Sequence, residues 1–396
     1  MVRRPFSSRV PSELAGNRLA QAIAAARASG HPLVDLTQSN PTRVELDYPD
    51  YLLSALADAR GLKYEPAPFG LVGARQAVAR DYARRGAEVQ ADRVALTAST
   101  SEAYSLLFKL LADAGDEVLA PRPSYPLFEH LAQLDAVAIR PYDLEYDGYH
   151  GGWSIDIASV ERAMSERTRA LLVVTPNNPT GSFVTRQELK QLSAICADRG
   201  VAIVADEVFA DYQLRPGACV DAGRVMDVEN GLVFSLGGLS KTVGLPQIKL
   251  AWVAVGGEND LVADALARLE LICDTYLSVS TPIQAAAAEL LSRGAAVRKQ
   301  IQSRIAANYR TLAEQLEGSP SCSLLAADGG WSAIFRVPSI GSEEDLVVDL
   351  VAKGVVVHPG YFFDLPHESY LVVSLLPAED QFVEGISRVL RHIESL

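Results

Sequence analysis

Gly231-Leu-Val-Phe-Ser235, followed by Leu239-Ser240-Lys241-Thr242-Val243-Gly244-Leu245-Pro246, is the stretch on which the reading of this chain turns. The apolar run has the length and composition of a buried strand. Gly237, Gly238, Gly244 and Pro246 are turn-formers, so they place Lys241 in a tight loop at the strand end. In an open α/β sheet, ligands sit at the carboxyl ends of the strands. A lysine desolvated there has a lowered pKa and can condense with a carbonyl. The plainer alternative is a surface-loop lysine.

Two upstream segments add weight. Asp206 closes the apolar run Val201-Ala-Ile-Val-Ala205, so its carboxylate arrives on a buried strand and must find a cation or donors. A strand-end cap is its bland counterpart. Asn177-Asn178-Pro179-Thr180-Gly181 is a turn by composition alone.

Around these segments, apolar runs alternate with helical patterns from Leu52 to Gly256, which predicts an α/β fold with a mostly parallel central sheet. Val94–Leu96, Glu117–Ala120, Leu171–Val174, Val201–Val204, Leu232–Phe234 and Ala251–Ala254 are the expected strands. Ser101–Ala114, Arg186–Arg199 and Asn259–Cys273 are the expected helices. A long helical pattern runs from Pro282 to about Leu316 and stops at Gly318 and Pro320. Beyond it, strands at Ser321–Val337, Val355–His358 and Tyr370–Leu375 with helices at Glu343–Lys353 and Glu379–Ser395 make a smaller α+β domain.

At 396 residues the chain exceeds one usual core, so more than one domain is expected. Hydrophobic residues at 48% and charged ones at 21% fit a soluble enzyme. The net charge of −13, with no basic run, argues against nucleic-acid partners and anionic membranes. No window holds the roughly 20 apolar residues of a membrane span. The basic start Val2-Arg3-Arg4 leads into no apolar stretch, so no secretory signal is expected. Cys196, Cys219, Cys273 and Cys322 have neither zinc-site nor disulfide-framework spacing, which fits a cytoplasmic protein and no bound metal.

The SxSKxxGLPxxR-like loop, the NPTG turn and the DE-bearing strand end, in that relation, resemble the pyridoxal-phosphate aminotransferases of fold type I, class I/II. The similarity runs from about Leu36 to the C-terminus. It implies pyridoxal 5'-phosphate as cofactor and a homodimer with shared active sites. It also implies a small domain assembled from both ends of the chain: residues 1–45, with a helix near Glu13–Ala28, packing on residues 286–396, and residues 46–285 forming the large cofactor-binding domain.

Carried over residue by residue, the resemblance makes Lys241 the Schiff-base former and proton shuttle, preceded by Ser240. Asp206 becomes the partner of the pyridine nitrogen, Asn178 the contact to the phenolic oxygen, and Tyr125 the stacking face. Thr97-Ala98-Ser99-Thr100-Ser101 resembles the strand-to-helix turn that cradles the phosphate, with Thr100 and Ser101 as donors. Tyr64 resembles the tyrosine that reaches the partner subunit's phosphate. A plain helix cap, a packed tyrosine and a surface tyrosine are the ordinary readings of these last three sites.

Four departures stand out. Lys249 replaces a phosphate-binding arginine, losing its planar fork. Gly238 replaces a serine, and Phe209 replaces a tyrosine that would donate to the phenolic oxygen, with Tyr212 out of register. Val372, in Leu371-Val372-Val373-Ser374, occupies the place of the arginine that grips the substrate carboxylate. On that alignment, Val372→Arg should raise turnover of common α-amino acids. Arg43 is the candidate replacement cation, with Asn40 beside it in the same loop, and Tyr361-Phe362-Phe363 a candidate pocket wall. The expected activity is transfer of an amino group from a donor to a keto acid or aldehyde. A lyase or decarboxylase using the same cofactor, or a non-catalytic cofactor-binding module, is the alternative.

Overall fold

The computed structural model describes residues 6–11, 15–148, 152–366 and 369–396. In chain order its strands are β1 (Val34–Asp35), β2 (Val94–Thr97), β3 (Glu117–Arg122), β4 (Ala138–Asp147), β5 (Gly152–Ile155), β6 (Thr168–Val174) and β7 (Ala202–Asp206). They continue with β8 (Leu232–Gly238), β9 (Ala251–Gly257), β10 (Ser323–Leu324), β11 (Ser332–Arg336), β12 (Val355–Val356), β13 (His358–Pro359) and β14 (Tyr370–Ser374). The helices are α1 (Arg18–Ala28), α2 (Val72–Arg84), α3 (Thr100–Leu111), α4 (Leu127–Leu134), α5 (Ile157–Ala163) and α6 (Arg186–Arg199). After them come α7 (Leu239–Thr242), α8 (Asn259–Tyr276), α9 (Thr281–Arg293), α10 (Ala295–Glu317), α11 (Glu343–Ala352) and α12 (Glu379–Glu394).

Eight strands form one mixed sheet in the order β2-β9-β8-β7-β6-β3-β4-β5. The run β8-β7-β6-β3-β4 is parallel, β9 is antiparallel to both its neighbours, and β5 returns antiparallel on β4. Alternation along β7 shows how the sheet is covered. Ala202 and Val204 join the cluster under α3, α4 and α8, while Ile203 and Ala205 join the one under α5 and α6. A four-stranded antiparallel sheet, β10-β11-β14-β13, follows the long α10 helix. Near the N-terminus, β1 pairs in parallel with β12, and Arg18 of α1 bridges Glu344 and Asp345 of α11.

Several local expectations change. β8 continues through Gly238, because Gly237 and Gly238 pair with Trp252 and Ala251 of β9. Lys241 therefore sits on a single helical turn rather than in a loop. The pattern from Pro282 is two helices. A Cβ at Gly294 would lie 2.6 Å from both the Leu290 carbonyl and Val243 Cβ, so only glycine lets the chain bend there. The β4–β5 hairpin was not anticipated. The N-terminal helix begins at Arg18, capped by the Asn17 side chain; Glu13 and the basic start Val2-Arg3-Arg4 lie outside the described residues. Ahead of that helix, Arg9 donates to the Leu134 carbonyl at the end of α4, on the large sheet's side. Among the described residues no helix is long and apolar enough to cross a membrane.

Candidate active site

The strand directions bring the candidate residues to one edge. β2, β3, β6, β7 and β8 all point the same way, so their carboxyl ends lie side by side. Those ends lead into Ser99–Ser101, Tyr125, Asn177–Asn178, Asp206 and Lys241 respectively.

Lys241 is held from behind. The Tyr212 hydroxyl donates to the Lys241 carbonyl at 2.5 Å, and Leu239 N–H bonds to the Leu250 carbonyl of the neighbouring connection. Its ammonium lies 5.0 Å from the Trp331 ring and 5.7 Å from the Phe209 ring. Desolvation in this aromatic box lowers the amine pKa, and the Asp206 charge opposes that only in part. The result is an amine more easily freed of its proton than an exposed lysine.

Asp206 is buried at the end of β7. Burial pushes its carboxyl up to about 6, although Val208 N–H and the Tyr104 hydroxyl each donate to it at 3.1 Å. Two donors do not replace water around a carboxylate, so the site favours a cationic partner. Tyr104 is driven well above its usual range, first by burial and then by Asp206.

Ser99 caps α3, accepting from Glu102 N–H, while the Glu102 carboxylate accepts from Ala98 N–H. The backbone N–H groups of Thr100 and Ser101, in the first helical turn, meet no acceptor among the described residues. Free donors at a helix start favour an anion. Asn178 accepts from the Ser332 hydroxyl at 3.1 Å, while Asn177 caps its own turn through Thr180. Ser240 is half-buried on the lysine's turn.

Other candidates lie more openly. Tyr125 is 46% exposed and Tyr64 72% exposed; Tyr64 lines a depression with Gly70, Tyr276 and Gln284 that also includes Leu96 of β2 and Leu106 of α3. Lys249 is exposed, with left-handed backbone. Arg43 is exposed, its guanidinium without a partner among the described residues, and the Asn40 side-chain oxygen is occupied by Thr42 N–H and hydroxyl. Val372 is sealed at 1% exposure among Leu325, Ile334, Phe363 and Leu365. The expectation that an arginine there would serve substrates is corrected: its side chain would enter an apolar cluster.

Tyr104, Trp331 and Ser332 were missed, and Tyr212, out of register for the phenolic oxygen, instead braces the Lys241 carbonyl. Tyr104 had a signal, since it falls one helical turn after Thr100 on the same face. Trp331 and Ser332 had none, because they come from the loop entering β11 and from its first residue, about 90 residues along from Lys241.

A desolvated lysine beside a buried carboxylate and a phosphate-ready helix start, all on the carboxyl edge of an α/β sheet, define an enzyme of amine and carbonyl chemistry. The chain matches the family described as Aminotransferase class I and II over residues 28–381. It belongs to that family, whose enzymes use pyridoxal 5'-phosphate.

It is 31% identical over 272 residues to nicotianamine aminotransferase B of Hordeum vulgare, covering 66% of this chain and 48% of the relative. The chain thus spans about half the length of that plant protein. Alanine aminotransferase of Mycobacterium tuberculosis is 26% identical over 386 residues, 93% of this chain and 87% of the other. Among solved structures, alanine aminotransferase from Pyrococcus furiosus superposes with a TM-score of 0.88 at 21% identity, covering 99% and 100% of the two chains. The fold is therefore the type I fold of pyridoxal-phosphate enzymes.

The residues present fit that cofactor: free N–H donors for a phosphate, a buried carboxylate in want of a cation, and a desolvated amine.

Proposed function

We propose that this chain is a transaminase, moving an amino group from an amino donor to a keto acid or aldehyde. The observation that carries this is the desolvated Lys241 amine set against buried Asp206 in a chain of this family. When bound, the cofactor supplies an aldehyde for the amino group and a ring that takes up electrons.

The chain's own residues do the rest. Lys241 holds the cofactor through its amine and, once displaced by the donor, carries the proton at the substrate Cα. Asp206 keeps the ring nitrogen charged. Thr100, Ser101, Ser240 and Lys249 hold the phosphate, Asn178 orients the ring oxygen and Tyr125 covers one face. Arg43, with Asn40 in the same loop, meets the substrate's anionic end. Tyr64 reaches the phosphate of a second copy, so the working form is a homodimer, in the cytoplasm. The divisions after residues 45 and 285 belong to the same reading.

The test is a half-reaction. Purified holoprotein mixed with amino donors should lose its visible cofactor absorption and regain it on adding a keto acid. Lys241→Ala should lose turnover by about 10²–10⁴-fold or more. A Lys241→Ala protein with unchanged spectrum and turnover would remove this lysine from the mechanism.

A further inference from the structure

Trp331 is 3% exposed, and its indole Nε1 is buried with no hydrogen-bond partner among the described residues. Trp153 Nε1 also lacks a partner among the described residues, but of the tryptophans only Trp331 makes a ring contact with the Lys241 ammonium, which lies 5.0 Å from its ring. Trp331 also stands edge-on to Phe209 at 5.3 Å and to Tyr212 at 5.1 Å. Phe209 offers no donor, and the Tyr212 hydroxyl is committed to the Lys241 carbonyl. The only N–H or O–H group on these three rings still open is therefore the indole's.

Its position is built rather than incidental. The Trp331 carbonyl accepts from Leu375 N–H, and Gly330 N–H donates to the Tyr212 carbonyl. Gly329 N–H donates to the Gly181 carbonyl, which ties the loop to the turn bearing Asn178. Gly181 has φ +72°, and a Cβ there would sit 2.6 Å from the Gly329 carbonyl oxygen, so the two loops meet backbone to backbone. A buried donor without an acceptor calls for an explanation, and beside a ligand site an acceptor on the ligand supplies one.

We propose that the Trp331 indole N–H donates a hydrogen bond to an anionic oxygen of the ligand held at Lys241, in place of the hydroxyl that Phe209 lacks. Two oxygens have this chemistry: the ring oxygen of the cofactor and an oxygen of the keto substrate. The inference rests on Lys241 being the cofactor lysine.

Trp331→Phe keeps an aromatic ring over the amine and removes the donor. If the acceptor is the cofactor, the pH at which the holoprotein's absorption changes should shift by about one unit without substrate. Adding Phe209→Tyr should reverse the shift. If the acceptor is the substrate, the absorption titration stays put and KM for the keto acid rises about tenfold with kcat little changed. A folded Trp331→Phe protein showing neither change overturns the proposal.

Indole-labelled wild-type protein gives a second, substitution-free readout. The Trp331 N–H resonance should move downfield on adding pyridoxal 5'-phosphate or keto acid, and an unmoved resonance also overturns the proposal. Failure of the underlying lysine assignment shows separately, as an unchanged spectrum in Lys241→Ala.

Discussion

Asp206 shows how a single side chain is placed against its own stability. Its carboxyl is raised from 3.8 to about 6, mainly by burial. A group whose folded pKa lies above its unfolded one stabilises the fold fully below the lower value, and that contribution is lost as pH rises through the upper one. Between pH 4 and 6, roughly, cofactor-free protein should therefore lose about 3 kcal/mol from this group. Asp206→Asn removes the ionisation. Without cofactor, it should be more stable than wild type at pH 7, with the difference shrinking toward pH 4, and should bind the cofactor more weakly. Urea titrations across that pH range, paired with cofactor binding, check both halves. An Asn variant no more stable at pH 7 would mean that Asp206 already has a cationic partner. The sequence exposed this residue because a charge ending an apolar run is anomalous. It hid Trp331, whose partner Lys241 is set by a fold-level crossing rather than by spacing.

Among the elements, the continuously apolar strands were legible and the half-exposed β4–β5 hairpin was not. β6 and β7 are near-continuous apolar runs, as interior parallel strands must be. β4 carries Arg140, Pro141, Asp143 and Glu145, and its exposed positions outnumber its buried ones, so only the alternation of Tyr142-Asp-Leu-Glu-Tyr146 marks it as a half-buried strand. The break between α9 and α10 falls at Gly294, where a Cβ would collide with Val243 and the Leu290 carbonyl, a tertiary contact that spacing along the chain does not reveal. β14 shows the converse. Its register is plain, with Val372 opposite Ile334 of β11 and His358 of β13, yet what that face touches is not. Val372→Arg should bury an unpaired charge and destabilise the protein by about 3–5 kcal/mol, with no gain toward α-amino acids. Denaturant midpoints and kcat/KM for a panel of amino acids read this out. A stable variant with raised kcat/KM would show that the apolar cluster opens in solution to form the substrate pocket.

For the whole molecule, the exposed apolar side chains bear on the proposed second copy. Leu62 is 91% exposed, Leu271 73%, and Tyr276 51%, in a chain otherwise kept dispersed by a net charge of −13. Tyr64 and Tyr276 line one depression, so these two exposed rings share a face. A self-complementary contact there would cover the apolar side chains and carry each Tyr64 toward the other copy's helix start, the arrangement of a two-fold dimer. Activity would then depend on protein concentration, because dilution separates Tyr64 from the phosphate it serves. Leu62→Glu combined with Leu271→Glu places like charges on the contact without touching the Lys241 site. The double variant should sediment as a folded monomer, hold the cofactor at least about tenfold more weakly and lose most turnover. Tyr64→Phe alone should stay dimeric and lose only part of the cofactor affinity. If wild type sediments as a monomer with full cofactor and turnover, each chain completes its own phosphate site and Tyr64 is a surface side chain.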